Sequence, residues 1–136
     1  MEMNKRVMVC VTQQKSCERL ISKGASLVGG DADELHVIHV VKENWKYFGQ
    51  LQEADALEYL FDISKNHGAF LTVQKATDIE NTLSKFAEKN SIDVIVMGES
   101  KEPTAQQNMI NRLQKHTSKD VDFVIVPLEA TPQAVG

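Results

Sequence analysis

Val7-Met8-Val9-Cys10-Val11 is an apolar run with no polar interruption. A strand buried on one face alternates apolar with polar residues. A strand that is apolar throughout is covered on both faces, as in the middle of a parallel sheet. After it, Thr12-Gln13-Gln14-Lys15 is a polar loop and Ser16 a cap for the helix that follows. Leu20, Ile21, Gly24, Leu27 and Val28 recur at helical spacing, and Gly29-Gly30 ends that helix. A second strand, Leu35 to Val41, leads into a helical pattern from Asn44 to Asn66. Its inner stripe is Phe48, Leu51, Ala54, Leu57, Leu60, Phe61 and Ser64, and Gly68 is its C-terminal cap. Trp45, Tyr47 and Phe48 either pack the preceding loop onto the domain or form a base-stacking platform.

The second half repeats the alternation. Ala69 to Val73 is a weaker third strand. Thr77-Asp78-Ile79-Glu80 has the capping-box form, with Thr77 at the cap. Ile79, Leu83, Phe86 and Ala87 line the next helix, and Asn90 closes it. Ile92 to Met97, apolar apart from Asp93, is a fourth strand ending at Gly98. Glu99 to Gln106 reads as a loop, Gln107 to His116 as a helix with Met109, Ile110 and Leu113 inward, and Phe123 to Pro127 as the last strand. This order predicts an α/β fold: a five-stranded parallel sheet with helices on both faces, an α/β/α sandwich. Parallel strands require helical crossovers, and those crossovers are right-handed. One domain is expected over 1–128, followed by a loose tail, 129–136, that carries Pro132.

Composition agrees. The 136 residues are 42% hydrophobic and 25% charged, enough for a core without disulfide or metal staples. Fifteen Lys and Arg against nineteen Asp and Glu give a net charge of −4, which argues against a nucleic-acid binder. No apolar run approaches the ~20 residues that span a bilayer, so no membrane contact is expected. The opening Met-Glu-Met-Asn-Lys-Arg lacks a signal-peptide layout. Cys10 and Cys17 lack metal-ligand spacing, and a cytoplasmic location is expected. Cys10 reads as a buried structural thiol; Cys17, at a helix start, is either structural or reactive. His36 and His39 fall on opposite faces of a strand, and His67 and His116 near helix ends, so no metal site is expected.

In open α/β sheets ligands bind at the carboxyl ends of the strands, where the strand order reverses. The candidate loops are therefore Thr12 to Ser16, Val41 to Asn44, and Gly98 to Asn108. None holds a nucleophile with a neighbouring base, a G-x-S-x-G elbow, a P-loop or a G-x-G-x-x-G turn. The acidic cluster of a phosphorylatable receiver is replaced by Thr12, Gln13 and Gln14. No catalytic residue, cofactor or enzymatic activity is expected. Of seven glycines, none lies between Gly98 and Gly136.

Arg6 to Thr12, Glu34 to Val40, and Asp93-Val-Ile-Val-Met-Gly98-Glu-Ser together resemble the universal stress protein family, over about Arg6 to Pro127. The resemblance implies an adenine nucleotide alpha hydrolase-like sandwich. Ser16 with Glu18-Arg19-Leu20-Ile21, the helix Leu83 to Ala87, Asn111-Arg112-Leu113 and Asp120 to Pro127 look like the branch found in KdpD-type potassium sensor kinases. That branch implies a regulatory or sensory role in stress or potassium signalling and a sensor-kinase context. ATP-binding members carry an Asp after the first strand and a glycine loop, G-x2-G-x9-G-[S/T], after the fourth. Here Thr12 replaces the Asp and Lys101 the second glycine, while Gln107-Asn108, aligned to the helix, stands at the Gly-Ser site. The ATP site is thus degenerate.

Cyclic di-AMP binding in the potassium-sensor branch uses a Ser-x-Ser pair and a Phe-Thr-Ala-x-Tyr-like second strand. Thr12-Gln13-Gln14 and Leu35 to His39 stand there, keeping one hydroxyl and neither aromatic. The tentative ligand set is Thr12, Gln13, Gln14, Val40, Val41, Gly98, Ser100, Lys101, Gln107 and Asn108, for a small nucleotide such as ATP or cyclic di-AMP. Its polar members either form an anion-binding rim or are solvated loop residues, and Gly98 either admits a phosphate or supplies a turn with positive φ. Phe123, Val124, Ile125 and Val126 form the expected homodimer edge, as in many members of the family.

Overall fold

The computed structural model describes residues 5–11, 17–30, 32–42, 51–99, 102–117 and 120–127, with backbone alone at 17, 41–42 and 51–56. The Ser16 cap, the Trp45-Tyr47-Phe48 cluster and the 129–136 tail lie outside these residues. The elements are β1 (Arg6–Cys10), α1 (Cys17–Ala25), β2 (Glu34–Lys42), α2 (Leu51–Asn66), β3 (Phe70–Ala76), α3 (Ile79–Lys89), β4 (Val94–Gly98), α4 (Pro103–His116) and β5 (Asp122–Val126). They alternate as the sequence predicts.

The strands form one sheet in the order β3-β2-β1-β4-β5, every pair parallel. β1 is central: Val9 is in register with Val37 on one side and Val96 on the other. Its alternate residues feed two separate cores. Val7, Val9 and Val11 join Leu20 and Ile21 of α1 and Leu60 and Ile63 of α2. Met8 and Cys10 join Leu83 and Ala87 of α3 and Ile110 and Leu113 of α4. Helices therefore cover both faces, and the unbroken apolar run is explained.

The helices depart from the sequence reading at three ends and at one inward position. α1 stops at Ala25, so Gly29-Gly30 does not cap it; their N–H groups donate to the Asp33 carboxylate at 3.0 and 3.1 Å. Asp78, not Thr77, is the N-cap of α3, its Oδ1 accepting from the Asn81 N–H at 3.0 Å. Glu80 is unavailable for a capping box because Arg112 of α4 holds its carboxylate. Phe61, read as inward, is 53% exposed; on that stretch of α2 Leu60, Ile63 and Ser64 are the buried residues. α4 begins at Pro103, where a residue without an N–H fits the first turn, and not at Gln107.

Two helices close through the same left-handed exit. Ala69 N–H reaches the Ser64 carbonyl and Gly68 N–H the Lys65 carbonyl, with Gly68 at φ 67°. After α3, Ile92 N–H reaches Ala87 and Ser91 N–H reaches Glu88, but here a serine takes φ 54°.

Candidate functional site

β2 and β3 lie on one side of β1, whereas the chain crosses to the other side to form β4 and β5. The strand order thus reverses between β1 and β4, and their carboxyl ends frame the crevice where this architecture binds ligands. Gly98 ends β4, with Leu20 of α1 over it. A Cβ added there meets Leu20 methyls at 3.6 and 3.7 Å, ordinary contact, and Gly98 is not among the positive-φ glycines. The turn explanation of Gly98 is therefore set aside.

Four carbonyls at the carboxyl ends of the described strands are held by donors. His39 lies 2.8 Å from the Val11 carbonyl through Nδ1; a carbonyl only accepts, so Nδ1 carries the proton. Gln106 donates Nε2–H to the Gly98 carbonyl at 2.8 Å. The Glu99 N–H takes the Val126 carbonyl at 2.8 Å, and the Arg19 guanidinium takes the Pro127 carbonyl. Strand ends that would present partial negative charge are thereby neutralised. Beside them α4 starts with Pro103 and carries no acidic residue in its first turn, and its N-cap, Glu102, makes no side-chain capping bond. The N–H groups of Thr104 and Ala105 have no partner within the helix, as at any helix start, and the dipole there favours an anion.

Of the sequence-derived ligand set, Thr12, Gln13, Gln14, Ser100 and Lys101 lie outside the described residues, and Val41 is described by backbone alone. Gly98 stands at the crevice, and half-buried Val40 lies near the carboxyl end of β2. Gln107 and Asn108 are displaced from the role given to them. With α4 starting at Pro103 they occupy its second turn, both exposed, and Gln107 bonds along the helix to Asn111. Gln106, His39 and Arg19 were not foreseen at this edge. Only the Pro at 103 signalled in sequence that residue 106 would turn back toward Gly98.

Cys10 is buried, and burial pushes its thiol up to about 12. His36 and His39 do fall on opposite faces: His36 packs beside Phe86 of α3 and reaches Glu34 at 2.9 Å. Among the described residues no group of three or more His, Cys, Asp or Glu is placed to hold a metal ion, and no helix is long and apolar enough to cross a membrane. On β5, Phe123, Val124 and Ile125 are half-buried and Val126 is already buried within the single chain.

The profile described as the universal stress protein family matches residues 3–121. No curated protein matches the sequence. Among solved structures, universal stress protein UspA from Lactobacillus plantarum aligns at TM-score 0.63 and 12% identity, covering 93% of this chain and 99% of that one. A universal stress protein in complex with cAMP aligns at 0.60 and 16%, covering 94% and 100%. The universal stress protein from Archaeoglobus fulgidus in complex with dAMP aligns at 0.58 and 16%, covering 91% and 99%. At these identities the likeness is one of fold.

Proposed function

The chain belongs to the universal stress protein family, and from that premise we propose a non-catalytic regulatory module that takes an adenine mononucleotide, rather than ATP, between the ends of β1 and β4. The observation that carries this reading is the start of α4 at Pro103. Only residues 99–102 separate it from Gly98. So short a connection leaves no glycine loop to wrap a triphosphate. The first turn of α4, which carries no acid beyond the N-cap Glu102, suits a single phosphate, and the donor-capped carbonyls beside it do not repel it. The two similar structures holding cAMP and dAMP, both monophosphates, favour the same class of ligand. Catalysis is left out because the candidate loops of the sequence hold no nucleophile with a neighbouring base and the Cys10 thiol is buried. In the cell the module reports on potassium or stress from the cytoplasm, in the context of a sensor kinase.

Thermal shift and calorimetric titration with AMP, cAMP, cyclic di-AMP and ATP test this. AMP or cAMP should raise the melting temperature, since ligand at about 100 times its Kd stabilises by roughly 2.7 kcal/mol. Thr104→Asp places a carboxylate at the α4 start, where it favours the helix, and should weaken the nucleotide about tenfold. No shift with any nucleotide, tighter binding of ATP than AMP, or an unaffected Thr104→Asp variant overturns the reading. ATP turnover that Lys101→Ala abolishes overturns its non-catalytic part.

A second reading rests on β5, an open edge whose Phe123, Val124 and Ile125 are only half-covered. Antiparallel pairing of this edge would make a homodimer. Light scattering at high protein concentration checks it, and a strict monomer refutes it.

A further inference from the structure

The other edge of the sheet, β3, differs from β5. Edge strands expose unpaired N–H and C=O groups, and soluble proteins usually shorten, bulge or charge them. β3 runs seven residues, Phe70-Leu-Thr-Val-Gln-Lys-Ala76, with no proline and Lys75 as its one charge. By its register with β2, Phe70, Thr72 and Gln74 lie on the α3 side and Leu71, Val73 and Lys75 on the opposite one, and Phe70 is 60% exposed. On the α3 side, Thr72 and Gln74 floor an open groove of about 480 Å³, walled by Asn81, Lys85 and Lys89 of α3. Among the described residues no carboxylate lines that groove, although the whole chain carries a net charge of −4. On the opposite side Val73 is 45% exposed, and so is Phe61 of α2, at 53%.

We propose that the β3 edge docks an extended acidic segment of a partner protein as a sixth strand. Its carboxylates would lie at alternate positions toward Lys85 and Lys89, and its apolar side chains would lie on the face of Val73. The spacing fits: Lys85 and Lys89 are one helical turn apart, a rise of about 6 Å, and alternate residues of a strand are about 6.6 Å apart. Charge decides between occupants. Pairing β3 antiparallel with a second copy sets both α3 helices on the same face of the extended sheet, so Lys85 and Lys89 of each copy would crowd together. An acidic strand relieves that repulsion, whereas a second copy creates it.

The test uses the full chain and a labelled peptide, acetyl-Val-Glu-Val-Glu-Val-Glu-Val-amide, followed by fluorescence anisotropy. Binding should weaken about tenfold in Lys85→Glu/Lys89→Glu, whose exposed positions leave the fold intact, and fall with added salt. A peptide N-methylated on alternate amides, which loses the ladder, and a block peptide with the glutamates grouped together should each bind about tenfold more weakly. Equal binding of either control peptide reduces the contact to charge adhesion and overturns the proposal. So does undiminished binding by the charge-reversed variant, or no binding at about 1 mM peptide, the millimolar limit of a weak complex. A dimer dispersed by Val73→Lys would put a second copy on this edge and overturn it as well.

Discussion

Gly24→Ala places a methyl group where α1 crosses the sheet. The added Cβ lies 2.5 Å from Val9 Cγ2 and 3.0 Å from Leu35 Cδ1. Carbon atoms in contact sit at about 3.5–4.0 Å, so roughly 1 Å of overlap must be absorbed. Val9 cannot yield: it is fully buried, sits between Val37 and Val96, and its β-branched side chain is stiff at χ1. Overpacking of this kind costs about 1–3 kcal/mol, and alanine returns up to about 1 kcal/mol as the better helix former. The net loss is about 1–2 kcal/mol, which for a chain of this size lowers Tm by roughly 3–10 °C. Circular-dichroism melts and urea unfolding read it directly. Val9→Ala alone opens a cavity; combined with Gly24→Ala it vacates the disputed space, so the pair should be less destabilised than the sum by about 0.5–3 kcal/mol. Gly98→Ala, with its nearest contact at 3.6 Å, serves as the control and should stay within about 0.5 kcal/mol of the parent. A Gly24→Ala chain as stable as the parent, or strictly additive changes, refutes the close approach of α1 to β1.

Ser91→Gly should stabilise the chain by roughly 0.5–1 kcal/mol, because a left-handed backbone at φ 54° penalises a side chain; an unchanged or lower Tm contradicts this. Asp33 accepts the N–H groups of Gly29, Lys5 and Gly30, which pull its carboxyl from 3.8 down to about 2. A lowered folded-state value means that this stabilisation is complete above pH 3.8 and drains away as pH falls toward 2. The stability gap between the parent and Asp33→Asn should therefore close over that interval, and a gap constant with pH counts against the assignment. In a Cys17→Ser background, Cys10 should not react with a thiol reagent at pH 8 until the chain unfolds, since burial keeps its thiol neutral. Rapid native labelling would show an accessible thiolate.

The parts of the fold legible in sequence are those set by burial on two faces. The run Val7 to Val11 and the run through Val94 to Met97 have no polar residue because no face of β1 or β4 meets solvent, and that pattern is local. The misread parts are those set by distant partners. Thr77 fitted a capping box with Glu80 at the right spacing, but Arg112, 32 residues on, takes that carboxylate, and Asp78 caps the helix instead. Phe61 fitted the inner stripe of α2, yet the face that packs is the one carrying Leu60, Ile63 and Ser64, and helical spacing alone does not choose between adjacent faces.

The same distinction separates the two halves of the crevice. Gly98 was found because it interrupts an apolar strand, a signal that needs no knowledge of the third dimension. The polar stretch from Glu99 to Asn108 gives no apolar periodicity, so only Pro103 marks where helix begins, and the loop reads as longer than it is. Moving the helix start from Gln107 to Pro103 changes the chemistry and not merely a boundary. It removes Gln107 and Asn108 from the anion position and hands Gly98's carbonyl to Gln106. It also leaves the N–H groups of Thr104 and Ala105, which have no partner within the helix, as the available anion donors of α4. A ligand held there meets one helix start and no glycine loop. The number of phosphates it carries is therefore the property on which binding should turn, and AMP against ATP is the comparison that isolates it.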